Sequence, residues 1–427
     1  MGRGPSNRFV TPILSIVIFT VLLGVFAASP MITSTDSRWT IHTAMSFAKG
    51  HGGALSEYYP ILKEQGFYSI EYPDGRPRTL YPIGTALLVM PAVVVIARLF
   101  PQWAQRLPGG MPRRAEQFLA SVIGAAASVV FYWLILYQFQ SQTIAIASTA
   151  IFGLCTSIWS TATRGLWQHG PLVLMLVIAM LLLDRARRRP QLIQFVALPL
   201  AMAYLIRPTA IVPIAVLSTY VLVFHRAWFG RYMNWAMLVA FPWIVYNFMI
   251  YGHPVPPYYH RNAFSMHMHF IVGMLTNLIS PSRGLFVFSP VLLFAPSGFL
   301  IALSDREQRA LHLAYGAIMV GNSIIIGSAS SWWGGHEFGP RFMTDIIPFL
   351  VYFTAFNFRL PETFQRRTQI AVSAAIGLLA LVSMTIHAQG AIRYATWEWN
   401  YVPTNIDQHP GRAWDWSDPQ FARIRRP

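Results

Sequence analysis

Apolar runs of membrane-spanning length, about 20 residues, recur along this chain, and no other feature constrains its fold as much. Inside lipid each run must satisfy its own backbone, which leaves helices or closed barrels, and continuous rather than alternating apolarity selects helices. Hydrophobic residues make up 54% of the 427 and charged residues 11%, leaving no soluble domain of independent size. The chain therefore reads as an all-α polytopic membrane protein. Its formal charge of +16 does not point to a nucleic-acid partner, because the arginines fall in short clusters between apolar runs rather than along one soluble face. The lone cysteine, Cys155, excludes an intramolecular disulfide framework and any cysteine-based metal motif.

The first run, Phe9 to Ser29, follows a short basic leader with Arg3 and Arg8. It is too long for a signal-peptide core and Ala27-Ala28-Ser29-Pro30 is a poor cleavage site, so an uncleaved first helix with a cytoplasmic N-terminus is expected. Further crossings are expected at roughly 116 to 138, 142 to 159, 168 to 183, 191 to 206, 209 to 223, 232 to 251, 285 to 303, 309 to 328, 341 to 357 and 369 to 387. The Arg207-Pro208 pair separates two of them, since proline breaks a helix and arginine prefers the membrane edge. Leu80 to Phe100 is apolar enough to cross but is punctuated by Pro82, Pro91 and Pro101. If it does not cross, the arginine clusters at 185–189, 226–231, 306–309 and 359–367 share the cytoplasmic side; if it crosses, they all move outside. The positive-inside bias selects the first arrangement. The expected topology has about 11 transmembrane helices, with the N-terminus cytoplasmic and the C-terminus outside. Residues 80 to 100 form a re-entrant or interfacial helix within a first outer loop of about 30–115. Residues 1–387 make the transmembrane domain, and 388–427 a polar, Trp-rich tail on the outer face.

Between two late apolar runs lies WWGGHEFGPR, Trp332 to Arg341, which sets Glu337, His336 and Arg341 at the mouth of a membrane bundle. Polar groups there are tolerated mainly where they pair, face a cavity or bind something. Most outer acids read as solvated loop charges, with Glu116 and Asp345 near helix ends. Asp36 differs, coming a few residues after the first helix and just before an amphipathic segment containing Trp39, Ala44, Met45 and Phe47. Two compatible readings stand: a helix N-cap, or a general base. Arg164, Arg207, Arg283 and Arg341 each sit at an outer helix end, where charge bias disfavours arginine. Their planar forks match phosphate; snorkelling to headgroups is the plain alternative. His169 lies at another outer mouth. His267 and His269 have alternate spacing and no nearby carboxylate, so no metal site is expected, and no cofactor. Walker-type phosphate loops, GxSxG and HExxH are absent.

The early acid, the long outer loop, LYPIGTALLVMP, SPSRGLFVFSP and WWGGHEFGPRF together resemble membrane glycosyltransferases of the GT-C class, especially bacterial members similar to protein O-mannosyltransferases and aminoarabinose transferases. The resemblance covers most of the chain. It implies sugar transfer from a polyprenyl-phosphate donor to a lipid, glycan or protein acceptor at the outer face of a bacterial plasma membrane. It maps the base onto Asp36 and donor-phosphate contacts onto Arg283 and Arg341, with Arg207 and Arg164 as further phosphate candidates. Glu337, His336, Trp332, Trp333 and His169 are the expected substrate-orienting residues. The related O-mannosyltransferases carry an Asp-Glu pair where Asp36 is followed by Ser37. Competing readings are a transporter or lipid flippase, and a non-catalytic subunit of an envelope-assembly complex. A nearly charge-free midplane with polar residues at one face favours surface chemistry over translocation.

Overall fold

The computed structural model describes residues 6–33, 35–65, 69–110, 112–261, 270–359 and 365–423. His267 and His269 lie outside them. Helices occupy each apolar segment expected to cross. Among the described residues, five helices are individually long and apolar enough to span a bilayer: Arg113–Phe139, His169–Ala186, Arg226–Tyr251, Arg309–Gly327 and Arg366–Ile392. Fewer qualify than the sequence reading expects because prolines divide several segments and Gln142–Leu154 gives way to a π-helical turn at Ile158–Ala162. Arg207 is extended, at φ −153°, and separates Pro190–Ile206 from Pro208–Phe224. Pro290 likewise follows a break after the short helix Leu285–Phe288.

Arg113–Phe139 is the hub. Its Gly124, Ala125, Ala127 and Ser128 form a small-residue surface that lets neighbours approach closely. Ser6–Ala28, Gln142–Leu154 and His169–Ala186 pack against it. Ser141 caps Gln142–Leu154, its hydroxyl accepting from the Ile144 amide. Arg226–Tyr251 and Arg366–Ile392 are by contrast mostly exposed along their apolar lengths, as peripheral helices facing lipid would be.

At one end of the bundle, residues of the 30–112 connection build a second apolar cluster around Trp39, Tyr58, Val89 and Val93. Gly84–Leu99 lies against Thr40–Ala48 and against Pro190–Ile206. Gly84 permits that second contact, since a Cβ there would collide with the Leu205 backbone. Gly84–Leu99 then bends by 109° into Pro101–Gly109, at the proline anticipated as a break. The C-terminal residues fold over the same end: Trp399, Ile406 and Ala413 form a small core packed against Trp332 and Trp333.

Candidate active site

A cavity of about 550 Å³ opens at this end, within the size range of small-molecule sites. Its wall draws on seven separate parts of the chain, including Asp36, Tyr81, Trp167, Arg207, Tyr258, Trp333, Arg341 and Asp407. Asp36 sits in the turn before Thr40–Ala48 and is not its cap: the N-cap position is Trp39, which makes no side-chain capping bond. Ser37, next in sequence, donates to Glu116, and Glu116 also accepts from the Leu166 amide at 3.2 Å. One buried carboxylate thus ties the Asp36 turn to the segment bearing Trp167.

Asp36 faces Arg341, with Oδ2 at 3.5 Å from Nη1. The Arg341 guanidinium carbon lies 4.4 Å from the centre of the Trp167 ring, which fixes the plane of the fork. On its other side Arg341 forms an ion pair with Glu337. Its Nε is buried against Glu337, and the rest of the fork lies toward Asp36 at the cavity wall, where an anion would meet it. Burial pushes the Glu337 carboxyl up to about 7 against the opposing pull of Arg341 and Arg283.

The second cation of the cavity is Arg207. Its Nε lies 3.0 Å from Asp345 Oδ2 and donates to Thr209 Oγ1 at 2.8 Å, and Nη1 donates to His169 Nε2 at 3.1 Å. Because that nitrogen accepts, His169 carries its proton on Nδ1 and donates it to Asp345 Oδ1 at 2.7 Å. Arg207 is thereby held by a buried acid and an oriented imidazole.

Not every expected residue reaches the cavity. Arg164 is fully buried, and its guanidinium donates to the carbonyls of Trp159, Phe26, Ser29 and Met31. It closes the C-terminal end of the first helix rather than facing a phosphate. Arg283 is also fully buried. All five of its N–H groups go to protein acceptors: the carbonyls of Trp333, Ser282 and Gly335, Gln420 Oε1 and Asn400 Oδ1. In place of the expected phosphate contact, Arg283 pins the WWGG backbone to the C-terminal segment. Glu337 stands behind Arg341, out of the wall. His336 turns toward that segment, donating to Asn405 Oδ1 at 2.9 Å with its ring tilted against Tyr401, and Trp332 packs edge-on to Trp333.

Sequence reading gives no site role to Trp167 or Tyr258, and takes Asp345 and Asp407 as ordinary outer acids. Asp345 carries a usable signal, as an acid inside an otherwise apolar run. Asp407 carries none, since nothing local in the tail announces that it folds back onto residue 333.

No protein-family model matches this sequence, and no curated protein matches it. The fold is similar to the crystal structure of ArnT from Cupriavidus metallidurans in the apo state, with a TM-score of 0.52 and 14% identity, covering 91% of this chain and 75% of that one. ArnT is an aminoarabinose transferase with the GT-C fold, and at this identity the likeness establishes that the present chain has a GT-C-like fold.

Proposed function

We propose that the chain is a membrane glycosyltransferase that moves a sugar from a polyprenyl-phosphate donor to an acceptor at the outer face of the membrane. The observation that carries this reading is the pairing of Asp36 with Arg341 at the wall of one cavity, in a fold shared with an aminoarabinose transferase. Asp36 takes the proton of the acceptor hydroxyl as its oxygen bonds to the anomeric carbon. The bond from that carbon to the phosphate oxygen breaks, and the departing polyprenyl phosphate carries the electron pair. That product is a charged anion and needs cations more than an acid; Arg341 and Arg207 supply them in a partly dehydrated site. Glu337 and Asp345 hold these two arginines in place.

A transporter reading is less well supported, because the ionisable lining belongs to a single cavity at one end of the bundle. Native mass spectrometry of the protein extracted from its own membranes tests the proposal. A bound prenyl-phosphate mass, with or without a sugar, is expected in wild type and should be lost in Arg341→Ala. A wild-type protein that carries no such mass, and acquires none when polyprenyl phosphate is added, would count against it.

A further inference from the structure

The wall of the same cavity carries a second carboxylate, Asp407, contributed by the C-terminal segment. It is half-exposed, at 48%, yet it is held from several sides. Trp333 Nε1 donates to Oδ1 at 2.7 Å, and the Asp407 amide donates to Asn405 Oδ1 at 2.9 Å. His336 Nε2 lies 3.5 Å from Oδ2. The Trp333 ring is fixed in turn, by edge contact with Trp332 at 5.6 Å and by Arg283 Nε donating to its carbonyl at 2.7 Å. A carboxylate has about four acceptor sites, and Trp333 uses one. Gly334 and Gly335 follow the ring with no side chain to cover it, at φ +81° and +72°. A Cβ on Gly335 would stand 3.9 Å from Asp407 Oδ1.

A flat aromatic wall beside an acceptor-only group matches one ligand chemistry closely. The C–H face of a sugar ring packs on an aromatic ring while adjacent hydroxyls donate to a carboxylate. We infer that Asp407 and Trp333 form the subsite for the sugar headgroup of the lipid-linked donor. The C-terminal segment then serves as a specificity element folded into the site rather than a passive tail. This rests on the glycosyltransferase reading, and it adds where the sugar is held and which residues select it. Trp333 and Arg341 lie at opposite ends of one loop whose middle is fixed by Glu337 and Arg283, so phosphate and sugar are gripped at a set separation.

The test uses the full-length chain in nanodiscs, titrated with short polyprenyl phosphate and with the same lipid phosphate carrying mannose, glucose, galactose or aminoarabinose. Wild type should bind at least one sugar-bearing probe more tightly than the bare phosphate. Asp407→Ala should reduce that gain about tenfold, the scale of a hydrogen bond to a charged group, and leave the bare phosphate unaffected. Asp407→Asn keeps an acceptor for the Trp333 N–H, so it should fold normally and still lose most of the gain. The inference is overturned if wild type shows no sugar-dependent gain, or if both variants weaken bare and sugar-bearing probes alike. Unchanged donor titrations with impaired transfer would also overturn it, placing the acceptor there instead. Failure of wild type to bind even bare polyprenyl phosphate would remove the glycosyltransferase reading as well, so the two failures are distinct.

Discussion

At Glu337, burial raises the carboxyl to about 7 while Arg341 and Arg283 pull the other way, and the sign of the pH dependence follows. Below its ordinary value of 4.5 the group is protonated whether the chain is folded or not. Between there and about 7 only the folded state holds the proton, so the stability it contributes is complete at the acid end and lost as pH rises through about 7. Glu337→Gln should flatten the fall in Tm between pH 5 and pH 8 relative to wild type; parallel Tm profiles would contradict this assignment. Arg283 behaves differently, because its five donors hold two segments together. Arg283→Met orphans those acceptors and should cost about 3–5 kcal/mol, the range for removing one partner of a buried charged network, read as a large drop in thermal stability. Arg207→Lys keeps the charge but not the fork that bridges His169 and Asp345, so it should weaken polyprenyl-phosphate binding with little loss of Tm.

The loop from 328 to 340 is the element on which the site is strung. Gly334 and Gly335 both lie in the left-handed region, and a Cβ on Gly334 would run into the Glu337 carboxylate. Gly334→Ala should therefore displace Glu337 from Arg341 and cut donor affinity more than Gly335→Ala, whose Cβ meets only Asp407 at a comfortable distance; equal affinities in titrations of the two variants would speak against this loop geometry. Much of the element was legible beforehand, since Gly-Gly beside His-Glu and Gly-Pro-Arg between apolar runs marks a structured polar turn. Which arginine faces the cavity was not. Arg283 and Arg341 look equivalent in sequence, each flanked by glycine or proline, and only long-range partners such as Asn400 and Gln420 separate the buried organiser from the available cation. Arg164 misled for the same reason: its carbonyl partners at Phe26 and Ser29 are invisible to local pattern.

Across the whole molecule, helical class and segment positions follow from apolar run length, and the Arg207 break from its proline. Crossing number does not follow, because proline-broken helices such as Pro290–Ala302 are too short to be counted by length alone. The 109° bend after Leu99 fits a broken span as well as the re-entrant helix expected at 80–100, and a thiol separates the two. Gln105 is exposed just past the bend. In a Cys155→Ser background, Gln105→Cys should react with a membrane-impermeant maleimide in intact cells; protection there, with labelling only after permeabilisation, would invert the topology and put the cavity on the other face. Transfer depends on Asp36 as the base. Asp36→Asn in purified protein should bind a polyprenyl-phosphate sugar with near wild-type affinity while turnover falls at least a hundredfold, the scale of a lost general base. Turnover retained within a few-fold of wild type would contradict it.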